Sequence, residues 1–426
     1  MYIFKKIAKK ELLKITSLNS VSVFFKIIIG FITSKVIALF IGPSGMALVG
    51  NFRNFSAAIE GVATLGFTNG IVKYIAEHEK DKEYLKRFIS TIFVSIFFMI
   101  TVLCIFIYVF ASTLSHYIFG VNFQFVDILI IFGLVLPLYA TSQIIISIIN
   151  GLGAFKKVIY INIIGNLLGL IITVGLIYYY KTFGALLAVV LIPSVLFFVS
   201  VFFIQKKINL AQFISLKSFD FSLLKPMSEY SLMTLVSVVL GSTVYLNIRK
   251  IIIETLDIKQ AGYWEALSRI SNYYFLFLTT ILTVYFLPKL SKSNSNKETK
   301  SVFLSYYKEI FPFFFIGLIL VFVLKDVFIK LMFTKEFLPI SKLLVWQLIG
   351  DFFKAMSLIL GYQFFAKKLS KAFIITELIS LTILWFSSSY FLNFFGIEGI
   401  VMAHAFTFFT YFFILIFCFR KIWFTS

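Results

Sequence analysis

The chain has 426 residues, 60% of them hydrophobic and 14% charged, with a mean hydropathy of +0.98; soluble domains run at about 45–50% apolar and about 25% charged, so an ordinary soluble protein is excluded. The formal net charge of +20 comes from Lys and Arg gathered at the ends of apolar runs. That is the positive-inside pattern of a polytopic membrane protein, not a basic stripe that would read nucleic-acid phosphates.

The basic start (Lys5, Lys6, Lys9, Lys10, Lys14) has no small-residue cleavage site and reads as the retained cytoplasmic end of a first span. Apolar runs then predict spans over 17–41, 46–72, 87–110, 125–149, 158–180, 183–205, 229–253, 260–288, 303–324, 340–365, 372–393 and 397–419. That is about twelve helices of bilayer-spanning length, which defines an all-α polytopic membrane protein. Lys and Arg concentrate in the even loops (Lys80 to Arg87, Lys156-Lys157, Lys206 to Lys225, Lys289 to Lys300, Lys367 to Lys371), so both termini are expected in the cytoplasm. Cys104 and Cys418 lie inside apolar runs and give neither a disulfide framework nor metal-ligand spacing. The abundance of Phe, 56 residues, reads as composition bias rather than an aromatic binding surface.

The longest polar interruption in mid-chain, Lys206 to Met227, divides the chain into a six-helix bundle over 1–205, a cytoplasmic linker over 206–228 and a second bundle over 229–426. The halves look alike. Asn150 to Lys157 opens a span pair that turns at Phe183-Gly184, and Gly361 to Lys368 opens another that turns at Phe395-Gly396. With six spans per half both copies share one orientation, so the pattern reads as a parallel repeat offset by about 212 residues.

Charge inside the spans is costly and marks function by default. Lys26, Lys35 and Arg53 lie in the first two spans, joined by a tight turn at Gly42-Pro43-Ser44-Gly45. Arg249, Arg269 and Lys354 lie in the second half, and the repeat brings Lys35 near Arg249 and Arg53 near Arg269. These six cations are the candidate lining of a central cationic cavity for a pyrophosphate, which needs charge-assisted hydrogen bonds and suits the bidentate fork of Arg. Lys250 and Lys342, near helix ends, read as snorkelling side chains. Lys26 and Lys35 are on opposite faces of a straight helix, so both can face one cavity only if the helix bends, with Gly30 a possible place. Among the acids, Glu265–Arg269 and Asp351–Lys354 have ion-pair spacing. Glu60, Asp351 and Glu377 either neutralise neighbouring cations or provide a proton or ion site. His404 reads as a satisfied bundle histidine. No metalloprotease, serine-hydrolase or P-loop motif occurs, no outward segment is long enough for a processing domain, and no cofactor or metal is expected.

Across Gly42-Pro43-Ser44-Gly45, Asn51-Phe52-Arg53, Asn69-Gly70, Val72-Lys73-Tyr74, Arg249-Lys250, Gly262-Tyr263-Trp264, Leu287 to Ser291, Trp346-Gln347, Gly350-Asp351, Lys354, Gly361-Tyr362, Ala366-Lys367 and Glu377 the chain resembles the Wzx-type flippases. These form the polysaccharide-transport branch of the multidrug/oligosaccharidyl-lipid/polysaccharide exporter superfamily. The resemblance is strongest to translocases of O-antigen and enterobacterial common antigen (lipid III) repeat units. It implies two six-helix bundles around a cationic cavity in the bacterial inner membrane, and an undecaprenyl-pyrophosphate-linked oligosaccharide moved from the inner to the outer leaflet. Coupling to H+ or Na+ antiport, and the polymerase and chain-length regulator of the same pathway as partners, belong to the same implication. Three other classes of membrane protein would carry different signatures. A drug/cation antiporter of the superfamily would call for net acidic charge in the cavity. A major-facilitator transporter would carry a Gly/Asp/Arg-rich loop where this chain has Glu77 to Tyr84. A membrane polymerase or ligase would carry a large outer loop, whereas Ala111 to Phe125 is short and holds no Lys or Arg.

Overall fold

The computed structural model describes residues 2–120, 125–205 and 210–424, and among the described residues every regular element is helical. In chain order these are α1 (Tyr2–Ala63), α2 (Thr68–Glu77), α3 (Lys82–Val109), α4 (Ala111–Phe119), α5 (Val126–Gly151), α6 (Phe155–Gln205), α7 (Ser228–Leu235), α8 (Gly241–Thr255) and α9 (Ile258–Ile281). They continue with α10 (Leu287–Lys292), α11 (Asn296–Glu309), α12 (Phe311–Val323), α13 (Lys325–Met332), α14 (Ile340–Ala366), α15 (Ser370–Phe395), α16 (Ile397–Cys418) and α17 (Arg420–Trp423). Single π-helical turns, Val236–Leu240 and Leu282–Phe286, carry α7 into α8 and α9 into α10. The second lies just before Pro288, which has no N–H to continue the ladder.

Ten stretches among the described residues are long and apolar enough to cross a bilayer, so this is a multi-pass membrane protein. Two of the ten contain a sharp backbone break inside one continuous helix, in α1 and in α6. In α1 the break is at Gly42 (φ 63, ψ −166), a conformation that suits glycine, and Pro43 opens the next leg where its missing N–H costs nothing. In α6 it falls at Lys181 (φ 49, ψ −123), three residues before Gly184. A Cβ on Gly184 would come within 1.9 Å of the Leu176 carbonyl oxygen, so glycine is what lets these legs pack closely.

The repeat is written in the backbone. The helix-capping bond of Asp81 to the Tyr84 amide returns 214 residues on (81 to 295) as Ser295 to the Glu298 amide. The turn bonds Leu152 N–H to Ile148 O, Gly153 N–H to Asn150 O and Ala154 N–H to Ile149 O return 215 residues on (152 to 367) at Lys367, Lys368 and Leu369. Lys181 is matched by Gly396 (181 to 396, 215 residues), which breaks the chain at φ 57, ψ −140. A Cβ on Gly399, 215 residues after Gly184, would lie 2.2 Å from the Phe391 carbonyl oxygen, as one on Gly184 would lie 1.9 Å from that of Leu176. These registers replace the offset of about 212 read from span starts; at 214 the position equivalent to Lys35 is Arg249 (35 to 249).

The chain forms two compact units, Met1–Thr33 with Asn51–Ser242, and Ser34–Gly50 with Thr243–Ser426. The 34–50 segment packs tightly in the second unit, where a Cβ on Gly262 would lie 2.0 Å from the Pro43 carbonyl oxygen. In the first unit, α3 and α6 pack against α5, and Phe52 sits among Phe55, Phe119 and Phe132. In the second, α14 and α15 pack against α16.

Several sequence readings need correction. The second span, read as 46–72, is interrupted at Leu65 and Gly66, both with positive φ, before α2 begins. The Ala111–Phe125 stretch, expected as an outer segment, carries a short helix over Ala111–Phe119, which leaves that expectation standing; 121–124 lies outside the described residues, as do Lys206 and Lys207 of the linker. A break at Gly30 is not found, the non-helical φ/ψ pair in α1 being at Gly42.

Candidate functional site

In the second unit the buried cations of α8 and α9 meet one carboxylate. Arg249 is 1% exposed and donates from Nη2 to Glu265 Oε2 at 2.7 Å. Arg269, one helical turn beyond Glu265, donates from Nε to Glu265 Oε1 at 3.0 Å. Its Nη1 lies 3.5 Å from the Ser34 hydroxyl, which is 2.8 Å from the Tyr273 hydroxyl. The Arg249 guanidinium also stands 5.2 Å from the centre of the Trp264 ring, and Trp264 stacks on Tyr245 at 5.6 Å and 6°. Two cations and one anion leave a formal charge of +1 in a dry site. The Arg269 Nη2 atom is buried with no hydrogen-bond partner among the described residues. The fit also needs the backbone of α1: a Cβ on Gly50 would stand 2.6 Å from Glu265 Oε2 and 3.0 Å from Arg249 Cζ.

Lys35 is placed differently from its repeat mate. Its Nζ donates to the carbonyls of Lys330, at 2.8 Å, and of Phe333, at the C-terminal end of α13, where open carbonyls and the helix dipole both favour a cation.

A second polar cluster lies among α9, α14 and α16. The fully buried Asp351 carboxylate accepts from Ser271 Oγ at 2.5 Å, from the Tyr274 hydroxyl, from Gln347 Nε2 at 3.3 Å and from His404 Nε2 at 3.0 Å. Gly350 makes room for this histidine, since a Cβ there would lie 2.3 Å from His404 Cδ2. The spacing of Asp351 and Lys354 had suggested an ion pair. Instead His404 pairs with Asp351, and Lys354 Nζ stands 4.7 Å from the Phe275 ring centre and 5.1 Å from that of Phe408. Glu377, half-buried on α15, is near enough to act electrostatically on Lys354 and Tyr411.

In the first unit, Arg53 and Glu60 are half-buried on the second leg of α1, and the Tyr139 hydroxyl of α5 hydrogen-bonds Glu60. Lys26 is exposed on the first leg. Within the second unit the structure thus gathers Arg249 with Arg269 and sets Lys35 and Lys354 at other places, while Lys26 and Arg53 belong to the first unit. Sequence reasoning missed Ser34, Tyr273, Ser271, Tyr274, Gln347 and Tyr139. The available signal was the spacing Ser271–Tyr274 and Gln347–Asp351, which puts each pair on one helix face.

A profile of the family described as polysaccharide biosynthesis protein matches residues 36–342. The chain belongs to this family. This polysaccharide biosynthesis protein is 26% identical over 410 residues to the lipid III flippase of Escherichia coli (strain K12), covering 94% of this chain and 96% of that one. The lipid III flippase of Shigella flexneri matches with the same figures. Among solved structures, the inward-facing multidrug resistance MATE transporter of the MOP superfamily aligns with a TM-score of 0.72 at 16% identity, over 93% of this chain and 96% of that one. The lipid II flippase MurJ in an inward closed conformation aligns with a TM-score of 0.72 at 19% identity, over 95% and 89%. The polysaccharide biosynthesis protein therefore has the fold of these transporters, and the family agrees with the resemblance read from its motifs.

Proposed function

We propose that this protein is a flippase, not an enzyme, that moves an undecaprenyl-pyrophosphate-linked oligosaccharide repeat unit from the cytoplasmic to the periplasmic leaflet of the inner membrane by alternating access. The observation that carries the reading is the likeness to lipid III flippases along nearly the whole of both chains. The cationic side chains support it chemically. A diphosphate crossing hydrocarbon needs donors already stripped of water, and the Arg249–Arg269 pair keeps a net positive charge and an open Nη2 donor in a buried setting. Arg53 is half-buried and is the cation proposed to meet the pyrophosphate first; Lys26, Lys35 and Lys354 add positive charge of the same sign. Coupling to H+ or Na+ is proposed to use Glu60, Asp351 or Glu377, three acids inside the spanning helices.

The test is a deletion strain. Lipid-linked repeat units should accumulate in the inner leaflet and surface glycan should disappear, with both restored by the wild-type gene. Unchanged surface glycan and no accumulating intermediate would reject the reading.

A further inference from the structure

We infer that the segment from Leu210 to Met227 is an interfacial anchor that inserts Leu216 and Phe221 into the headgroup boundary of an anionic bilayer. The segment joins α6 to α7 as four short 3₁₀ turns, Leu210–Phe213, Leu216–Ser218, Phe221–Leu223 and Lys225–Met227. Its polar backbone is sewn to the start of α3. Ser90 Oγ donates to the Phe213 carbonyl at 2.7 Å and accepts from the Ser215 amide at 3.0 Å. Thr91 Oγ1 accepts from the Asp220 amide at 2.9 Å, and at the far end the Tyr74 hydroxyl donates to the Pro226 carbonyl at 3.1 Å.

With the backbone bound on that side, the large apolar side chains turn the other way. Leu216 is 81% exposed and Phe221 75%. In water each would forfeit the stabilisation that burying such a side chain provides. Two such prongs, fixed by hydrogen bonds rather than folded inward, need an apolar phase beside them. A bilayer supplies it, because α6 and the leg beginning at Ser231 are both spanning stretches and the segment is tied to them at its two ends. Charge supports the same occupant: Lys217 and Lys225 are exposed beside the prongs, and cations near an anionic leaflet are attracted to it. Apolar side chains at shallow depth with lysines above them are the pattern of a surface-lying anchor.

The test uses the full-length protein with Cys104→Ser and Cys418→Ser, carrying one nitroxide at a time at Leu216→Cys, Lys217→Cys, Phe221→Cys or Lys225→Cys. It is reconstituted in vesicles of phosphatidylethanolamine and phosphatidylglycerol. Labels at 216 and 221 should be more accessible to oxygen than to a water-soluble nickel chelate, with the reverse at 217 and 225. In vesicles of phosphatidylcholine alone at raised salt, the 216 and 221 labels should shift towards nickel. Nickel accessibility at 216 and 221 equal to that at 217 and 225 would place the prongs in water and overturn the inference. Low accessibility to both reagents at 216 and 221 would place them under protein and overturn it equally.

Discussion

Glu265 holds Arg249 through a 2.7 Å bond although 16 residues separate them, and its other oxygen is already taken by Arg269 at 3.0 Å. One carboxylate therefore decides whether two buried guanidiniums can share a site. Breaking a buried pair by removing one partner costs about 3–5 kcal/mol, because the remaining charge stays dry and uncompensated. Glu265→Ala should lower the unfolding free energy in detergent by that order, seen as a lower thermal midpoint. A midpoint equal to wild type would mean that the arginines reach water without the glutamate.

The close approach of α9 to the 34–50 segment depends on a missing side chain. Gly262→Ala would set a Cβ 2.0 Å from the Pro43 carbonyl oxygen, whereas Gly175, with nothing within 4 Å, has room for one. Gly262→Ala should cost about 1–3 kcal/mol as overpacking, and Gly175→Ala, in the interior of a helix, should be neutral or gain about 0.5–1 kcal/mol. Thermal unfolding of the two variants side by side checks both. Equal midpoints would refute the packing argument.

Lys181 breaks α6 at φ 49, where its repeat mate is Gly396. A left-handed backbone costs a side-chain-bearing residue about 1–2 kcal/mol. Lys181→Gly should therefore raise stability by about 1 kcal/mol after glycine's own entropy is counted. Gly396→Ala should lower it. The detergent unfolding midpoints report the two signs directly, and a fall for Lys181→Gly would mean that the lysine side chain contributes more than the strain costs.

Outside the spans, Asp220 is held below its ordinary value, first by the Ser222 hydroxyl at 2.6 Å and then by the Ser222 amide at 3.0 Å. A depressed folded-state value means that the turn is stabilised above the unfolded carboxyl's range and loses that stabilisation as pH falls through the folded value. Amide protection at Ser222, corrected for intrinsic exchange, should drop on acidification below that range. In Asp220→Ala it should be low throughout, with no acid step. A wild-type protection factor independent of pH would refute the capping role.

Much of this architecture was legible from residue spacing alone. Gly42-Pro43 marked the break in α1, because glycine tolerates the positive φ and proline cannot continue the preceding helix. Glu265 and Arg269 are four residues apart on one helix, so their contact is local and follows from periodicity. The contacts that escaped are long-range: Lys35 finds the carbonyls of α13 across 295 residues, and His404 finds Asp351 across 53. Spacing along one helix does not tell which face a neighbouring helix presents. The break at Lys181 escaped for another reason: the nearby Gly184 drew the turn to itself, although its role is close packing on Leu176. The resemblance carried the family, while the assignment of cations to a shared site needed coordinates.

On the proposed function, a lipid-linked pyrophosphate oligosaccharide crosses the bilayer through this protein, with Arg53 in its path. The most direct measurement is flipping of a fluorescent undecaprenyl-pyrophosphate-linked oligosaccharide in vesicles reconstituted with wild type or Arg53→Ala, read as the fraction of label quenched from outside. Wild-type vesicles should move label between leaflets, and Arg53→Ala vesicles, reconstituted to the same level, should move little more than protein-free ones. Wild-type vesicles that flip no faster than empty ones, or Arg53→Ala vesicles that flip as fast as wild type, would contradict the account.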